Sequence, residues 1–277
     1  MLLIHTVAKL RDRLAAKSAV VFVPTMGNLH EGHIALVRQA REYGDCVVVS
    51  IFVNPLQFGP GEDFDRYPRT LEADCEKLRG LADVVFAPDV TAMYPEPQTI
   101  LVEPPPIANE LCGAARPGHF RGMTTVVLKL FNIVQPQTAI FGKKDYQQLH
   151  IIRLMVTQLN LPIRIVGGET VRAADGLALS SRNQYLDATQ RAEAPQLRFE
   201  LQKIRASLLS GSREFSALQA RAVDTLKARG WGVDYISIRE RDTLVPAASG
   251  MANWVVVAAA RLGSTRLLDN IEVCDIE

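Results

Sequence analysis

Five histidines occur in the 277 residues, and two of them, His30 and His33, stand three apart in PTMGNLHEGHIALV (24–37). Several chemistries compete for that spacing. A zincin helix carries H-E-x-x-H with histidines four apart, whereas HEGH has them three apart and no third ligand clusters nearby; this argues against zinc. A lone histidine here would read as a local cap or packing residue. Two of them between an apolar strand and an amphipathic helix suit phosphate, because that junction offers free backbone N–H groups and the positive end of a helix dipole. Imidazoles there can donate to phosphate oxygens as charge builds on a reacting phosphorus. Gly27 and Gly32 let the backbone approach closely. Neither G-x-G-x-x-G nor G-x-x-x-x-G-K-[ST] is present.

Three more segments carry polar groups suited to ligands. FVNPLQF (52–58) supplies Asn54 and Gln57, neutral amides that suit hydroxyls and carboxylates and not acid–base work; a plain Asn-Pro turn is the bland alternative. FGKKDYQQL (141–149) offers Lys143 and Lys144 to phosphates. Asp145 can cap the next helix or accept from a ribose hydroxyl, and Gln148 lies one turn on. LSSRN (179–183) combines Ser180, Ser181 and Arg182, which are phosphate donors in type but ordinary loop residues in isolation. No Ser-His-Asp or Cys-His arrangement stands out, so the serines read as ligands and not as nucleophiles.

The elements that position these residues follow from the apolar pattern. AVVFVP (19–24), CVVVSIFV (46–53) and ADVVFAP (82–88) read as buried strands separated by helical stretches. In the first helix Ile34, Leu36, Val37 and Ala40 share one face, with Arg38, Arg41 and Glu42 outside. After a proline-rich stretch and a helix ending before Pro136, TAIFG (138–142) and PIRIVG (162–167) supply two more strands around the KDYQQLHIIRLMVTQLN helix. This alternation predicts an α/β fold: a Rossmann-like doubly wound parallel sheet over residues 1–170. The loops after Val23, Val53 and Phe141 then share one crevice at the carboxyl ends of the strands. Residues 171–277 form a smaller α+β domain carrying the SSRN loop. It has helices near 187–210 and 214–229 and strand-like runs VDYISI, NWVVVAAA and TRLLDN.

Composition narrows the class. Hydrophobic residues make up 48% and charged residues 22%, and 31 Lys+Arg against 30 Asp+Glu leave a net charge of +1, giving no electrostatic case for nucleic-acid or membrane partners. The N-terminus turns polar after four residues, unlike a secretory signal, and no apolar run approaches the ~20 residues of a membrane span. Cys46, Cys75, Cys112 and Cys274 lack CxxC spacing and read as reduced thiols of a cytoplasmic protein.

Taken in order, PTMGNLHEGH, FVNPLQF, YPRTLEAD, RPGHFRGMTTVV, FGKKDYQQL and DGLALSSRN resemble the pantoate–β-alanine ligases, the pantothenate synthetase family within the HxGH nucleotidyltransferases. The resemblance is dense to about residue 186 and looser beyond, through ISIRE and RLLDN. It implies ATP-dependent condensation of (R)-pantoate with β-alanine through pantoyl adenylate, releasing pyrophosphate and AMP. It also implies Mg²⁺ accompanying ATP, with unknown protein ligands, and a homodimer. By resemblance, Met26, Gly27, Asn28, Leu29, His30, Glu31, Gly32 and His33 form the first ATP segment, with His33 the proton donor. Gly142, Lys143, Lys144 and Asp145 form the second, with Lys144 on phosphate and Asp145 on ribose, and Val171 lies beside adenine. Leu179, Ser180, Ser181 and Arg182 stand in for the KMSKS segment of tRNA synthetases. His30, His33, Lys144 and Arg182 are the implied catalytic set; Gln57, Gln148 and Asn54 bind pantoate and β-alanine. Met26, Phe58, Met123, Val126 and Val127 are candidates to surround the gem-dimethyl group, or are core. Lys143 stands where many relatives carry glutamate. A nucleotidyltransferase acting on another acid, and a nucleotide-binding protein without catalysis, are the alternatives.

Overall fold

Runs of β-branched residues with no charged interruption read as buried on both faces, and Val20–Thr25 and Cys46–Ile51 are so at the centre of a parallel sheet. The computed structural model describes residues 1–273. In chain order the elements are β1 (Leu2–Ile4), α1 (Val7–Leu14), β2 (Val20–Thr25), α2 (Glu31–Ala40), β3 (Cys46–Ile51), α3 (Leu71–Leu78) and β4 (Val84–Phe86). Two short helices, α4 (Val90–Met93) and α5 (Cys112–Ala115), precede α6 (His119–Val134), β5 (Thr138–Gly142), α7 (Tyr146–Gln158) and β6 (Arg164–Gly168). The remainder is α8 (Ala188–Glu193), α9 (Gln196–Leu209), α10 (Phe215–Ala228), β7 (Gly232–Glu240), β8 (Trp254–Leu262) and β9 (Thr265–Val273).

The chain divides into two compact units. The first comprises Met1–Lys143 and Ile151–Glu169; the second comprises Lys144–His150 and the chain from Thr170 onward. This differs from a single cut at 170/171 at Thr170 and in one stretch, Lys144–His150. Its ties to the second unit are visible: Asn270 Nδ2 donates to the Lys144 carbonyl at 2.9 Å, and the Tyr146 hydroxyl donates to Glu272 at 2.8 Å.

In the first unit six parallel strands run in the order β1-β4-β3-β2-β5-β6. Sheet growth reverses direction between β2 and β5, which is the switch point where such sheets bind ligands. The pairing itself opens there. β2 pairs with β3 along its whole length but with β5 only at Val21 and Phe22. Pro24, which has no N–H to donate, sits past that contact. On α2 the buried residues are Ile34, Leu36, Val37 and Ala40, and Arg38, Arg41 and Glu42 are not buried, the face the sequence specifies. Five strands are expected from sequence; the sixth, β1, adds an edge.

In the second unit β7-β8-β9 form an antiparallel sheet. Leu197, Leu201, Ile204 and Leu208 of α9 and Leu218, Ala222 and Leu226 of α10 share its core with Trp254, Val256 and Ala258 of β8. The 187–210 helix is broken, since Pro195 ends α8 and begins α9. Cys46, Cys75 and Cys112 form no disulfide among the described residues, and Cys274 lies outside them. No helix among the described residues is long and apolar enough to cross a membrane.

Candidate active site

In the first unit, the chain leaving β2 turns sharply into α2. Gly27 (φ 83°) and Asn28 (φ 50°) adopt consecutive left-handed conformations, which aim successive N–H groups into one concavity. An anion from the protein fills it. The fully buried Asp74 of α3 accepts from the Asn28 N–H at 2.9 Å and the Leu29 N–H at 2.7 Å, and from the Thr70 hydroxyl at 3.1 Å. Lys77, one turn further on, donates to the Leu29 carbonyl at 2.6 Å. A methyl on Gly27 would sit 3.0 Å from Ile51 Cγ2 and 3.1 Å from Asp74 Oδ2, so both φ and space select glycine there.

The two histidines complete the turn by capping each other. His30 Nδ1 accepts from the Gly32 N–H at 3.1 Å, and His33 Nδ1 accepts from the His30 N–H at 3.2 Å. The result is a capping box built from imidazoles, with ring centroids 4.0 Å apart. A ring nitrogen that accepts carries no proton, so each neutral ring holds its proton on Nε2 and can donate from that edge. This corrects the expectation of free backbone N–H groups at this helix start. The N–H groups of Gly27, Asn28, Leu29, His30 and Gly32 are all engaged within the chain, Gly27 with Thr25 Oγ1. Glu31 is exposed and pairs with Arg38 at 3.3 Å.

The second loop of this unit follows β3. Asn54 caps a single 3-10 turn, Pro55–Gln57, and is almost wholly buried; Gln57 is 8% exposed. Asn54 Nδ2 donates to Gln57 Oε1 at 3.3 Å and to the Gly122 carbonyl at 3.2 Å, while Gln57 Nε2 lies 2.9 Å from Met26 Sδ. The Gln57 carbonyl accepts from His119 Nδ1 at 2.8 Å and from Arg116 at 3.3 Å. Arg116 also forms a two-pronged pair with Glu62, at 2.8 and 2.6 Å. Burial works to raise the Glu62 pKa, but hydrogen bonding and charge from Arg116, then His119 and the Gly59 backbone, outweigh it and hold the carboxyl below its usual range. Gly122 of α6 lets the turn approach closely: a methyl there would meet the Leu56 carbonyl oxygen at 1.9 Å. Met123, Val126 and Val127 are buried on α6, and Phe58 packs edge-on against Phe64 and Tyr67. Gly142 ends β5, and Lys143 pairs with the exposed Glu169 at 2.6 Å.

In the second unit, Lys144 Nζ lies 3.6 Å from Asp145 Oδ1, and Gln148 is half-buried in the first turns of α7. The loop from Val171 to Asn183 is pinned to β9 by Arg172, which grips the buried Asp269 with two bonds of 2.8 Å. The Leu179 N–H donates to the Val171 carbonyl at 3.0 Å, tying the two implied ATP contacts together. Ser180 caps the 3-10 turn Ser181–Tyr185 by accepting from the Arg182 N–H at 3.3 Å. Ser181 and Arg182 are half-buried in that turn.

The comparisons with known proteins decide the family. Residues 2–272 match the model of the Pantoate-beta-alanine ligase family. The chain belongs to the pantoate–β-alanine ligases. A pantothenate synthetase from Nitrosospira multiformis is 59% identical over 271 residues, covering 98% of this chain and 97% of the relative. The crystal structure of pantothenate synthetase from Thermus thermophilus is similar with a TM-score of 0.93 at 46% identity, over 99% of this chain and 100% of that one. A pantoate-beta-alanine ligase from Francisella tularensis, complexed with Beta-gamma ATP and Beta-alanine, is 33% identical with a TM-score of 0.83, over 98% and 97% of the two chains. The Rossmann-like α/β reading and the ligase function both stand on these likenesses.

For this ligase, motif reading passes over the residues that hold the candidate site residues in place. Asp74 lies inside YPRTLEAD and Arg116 and His119 inside RPGHFRG, both quoted for the resemblance but without roles. Tyr94 and the Arg172–Asp269 pair have no local signal, since each reaches its partner across 40 and 97 residues of chain.

Proposed function

We propose that this ligase makes pantothenate in two steps, with residues that position substrates and stabilise charge and without a covalent enzyme intermediate. In the first, a pantoate carboxylate oxygen attacks the α-phosphorus of ATP. The bond to the bridging oxygen breaks and pyrophosphate leaves with the electron pair. In the second, the β-alanine amine attacks the acyl carbon of pantoyl adenylate, the C–O bond to AMP breaks, and the nitrogen gives up a proton. The observation that supports this reading is the reciprocal imidazole cap, in which both Nδ1 atoms accept and the protons of the neutral rings sit on Nε2. Such donors stabilise the negative charge that grows on phosphate oxygens in the first step.

The other roles follow the motifs. Lys144, Ser180, Ser181 and Arg182 bind phosphates, Asp145 the ribose and Val171 the adenine side of ATP, with Gly142 and Leu179 opening the two segments that carry them. Gln57 and Gln148 hold pantoate. Asn54 acts on Gln57, since its own hydrogen-bonding groups are taken up within the chain. Mg²⁺ supplies charge neutralisation on the triphosphate. Such an ion is ligated mostly by phosphates and water. The chain works as a homodimer, as the resemblance implies, in the cytoplasm, as its scattered cysteines imply.

The test is to combine the chain with ATP, Mg²⁺, pantoate and β-alanine and follow AMP and pantothenate. Equal amounts of both, each requiring pantoate, are expected. AMP at the level of a no-pantoate control, with another acid supporting release, would reassign the substrate.

A further inference from the structure

Two donors fix one end of the Asn54 amide. The Tyr94 hydroxyl donates to Asn54 Oδ1 at 2.8 Å, and the Leu56 N–H donates to the same oxygen at 3.3 Å. Two acceptors, the Gly122 carbonyl and Gln57 Oε1, face the other end. Rotating the amide by half a turn would set donors against donors and oxygens against oxygens, so Asn54 has one orientation. That orientation passes to Gln57. Its Oε1 faces the Asn54 amide, so its Nε2–H₂ is the arm left to point elsewhere, toward Met26 Sδ. The Gln57 backbone is held separately by Arg116 and His119. The Tyr94 ring is fixed independently of its hydroxyl, against Phe52 with centroids 6.0 Å apart and under Lys129 Nζ, 4.7 Å from the centroid. Burial pushes the Tyr94 phenol far above its usual pKa, so the hydroxyl keeps its proton at neutral pH.

We propose that Tyr94 is a positioning residue that, through Asn54, sets the Gln57 amide as a hydrogen-bond donor and so selects an oxygen acceptor on the acid substrate. The inference rests on the reading of Gln57 as a pantoate-binding amide. A Gln57 free to turn would offer a carbonyl half of the time and would repel a carboxylate or hydroxyl oxygen. The Tyr94–Asn54 relay removes that ambiguity before substrate arrives, which is preorganisation of a specificity contact.

Tyr94→Phe keeps the ring and deletes only the donor. In the full chain with Mg²⁺-ATP, pantoate and β-alanine, the KM for pantoate is expected to rise ~10-fold, the worth of one hydrogen bond. The kcat and the KM for ATP should stay within about two-fold. A purely structural role would move all three together. In a double-mutant cycle with Gln57→Glu, which has no donor to orient, the two losses in kcat/KM for pantoate should be less than additive. Should Tyr94→Phe fail to fold, Asn54→Asp, which removes the donor to Gln57 Oε1, is expected to show the same pantoate-selective loss. A wild-type KM for pantoate in Tyr94→Phe, or additive losses in the cycle, would overturn the role of Tyr94. A wild-type chain that releases no AMP with pantoate would instead overturn the reading beneath it.

Discussion

His33→Ala is expected to lower pyrophosphate release from ATP and pantoate by at least ~100-fold while the chain still folds. The fold survives because His33 is half-buried at a helix start, and the core of the first unit rests on β2, β3, β4 and the apolar face of α2. The stability lost is that of half a capping box, about 0.5–2 kcal/mol. His33→Asn separates the two duties of the ring. An asparagine Oδ1 occupies nearly the place of Nδ1 and can still accept the His30 N–H, but nothing replaces the Nε2–H. That variant should regain most of the stability and none of the rate. Thermal unfolding and single-turnover pyrophosphate release measure the two quantities side by side. Near wild-type adenylation by either folded variant would remove His33 from the transition state.

Asp74→Ala is expected to weaken both the fold and ATP use, because the Asp74 carboxylate holds the turn before α2. Removing the carboxylate takes the acceptor from the buried Leu29 N–H, costing about 1–3 kcal/mol, and from the part-buried Asn28 N–H, costing less, so roughly 2–4 kcal/mol is lost. Asn28, a non-glycine residue at φ 50°, also costs conformational energy that its surroundings must offset, and Asp74 contributes to that offset. Once it is gone, the turn relaxes and His30 and His33 lose their fixed bearing. The KM for ATP should rise ~10-fold or more, while the KM for pantoate, read at saturating ATP, changes less. Asp74→Asn keeps one acceptor and places an NH₂ against an N–H, so its losses should be intermediate. Chemical denaturation and initial rates against ATP check both effects. An Asp74→Ala chain with unchanged stability and unchanged KM for ATP would show that the turn holds itself.

Much of the frame is legible in the sequence because burial on both faces leaves a plain trace. The apolar runs of β2, β3, β4 and β5 and the 3.6-residue spacing on α2 fall where the pattern places them. The misses have local causes. β1 is three residues long with two of them exposed, so it carries no periodicity. The break at Pro195 is readable, since proline inside a helical pattern removes a donor, but the apolar spacing continues across it. The site divides in the same way. The proposed roles of His30, His33, Gln57, Lys144 and Ser180–Arg182 rest on local motifs. The inward turn of the Asn28 and Leu29 N–H groups cannot, because it depends on a carboxylate 46 and 45 residues downstream. Asn54 reads from sequence as a ligand amide, and its hydrogen bonds to Tyr94 and Gly122 escape the sequence for the same reason: those partners lie 40 and 68 residues away.

The central claim is that the acid is activated as an acyl adenylate, and the path of one oxygen tests it most directly. Pantoate labelled with ¹⁸O in both carboxylate positions should be turned over with unlabelled ATP and β-alanine, and the products examined by mass spectrometry. Attack of the carboxylate on the α-phosphorus transfers one labelled oxygen to AMP and leaves one in the new amide, with none in pyrophosphate. Label found in pyrophosphate or inorganic phosphate, or AMP carrying no label, would contradict the account.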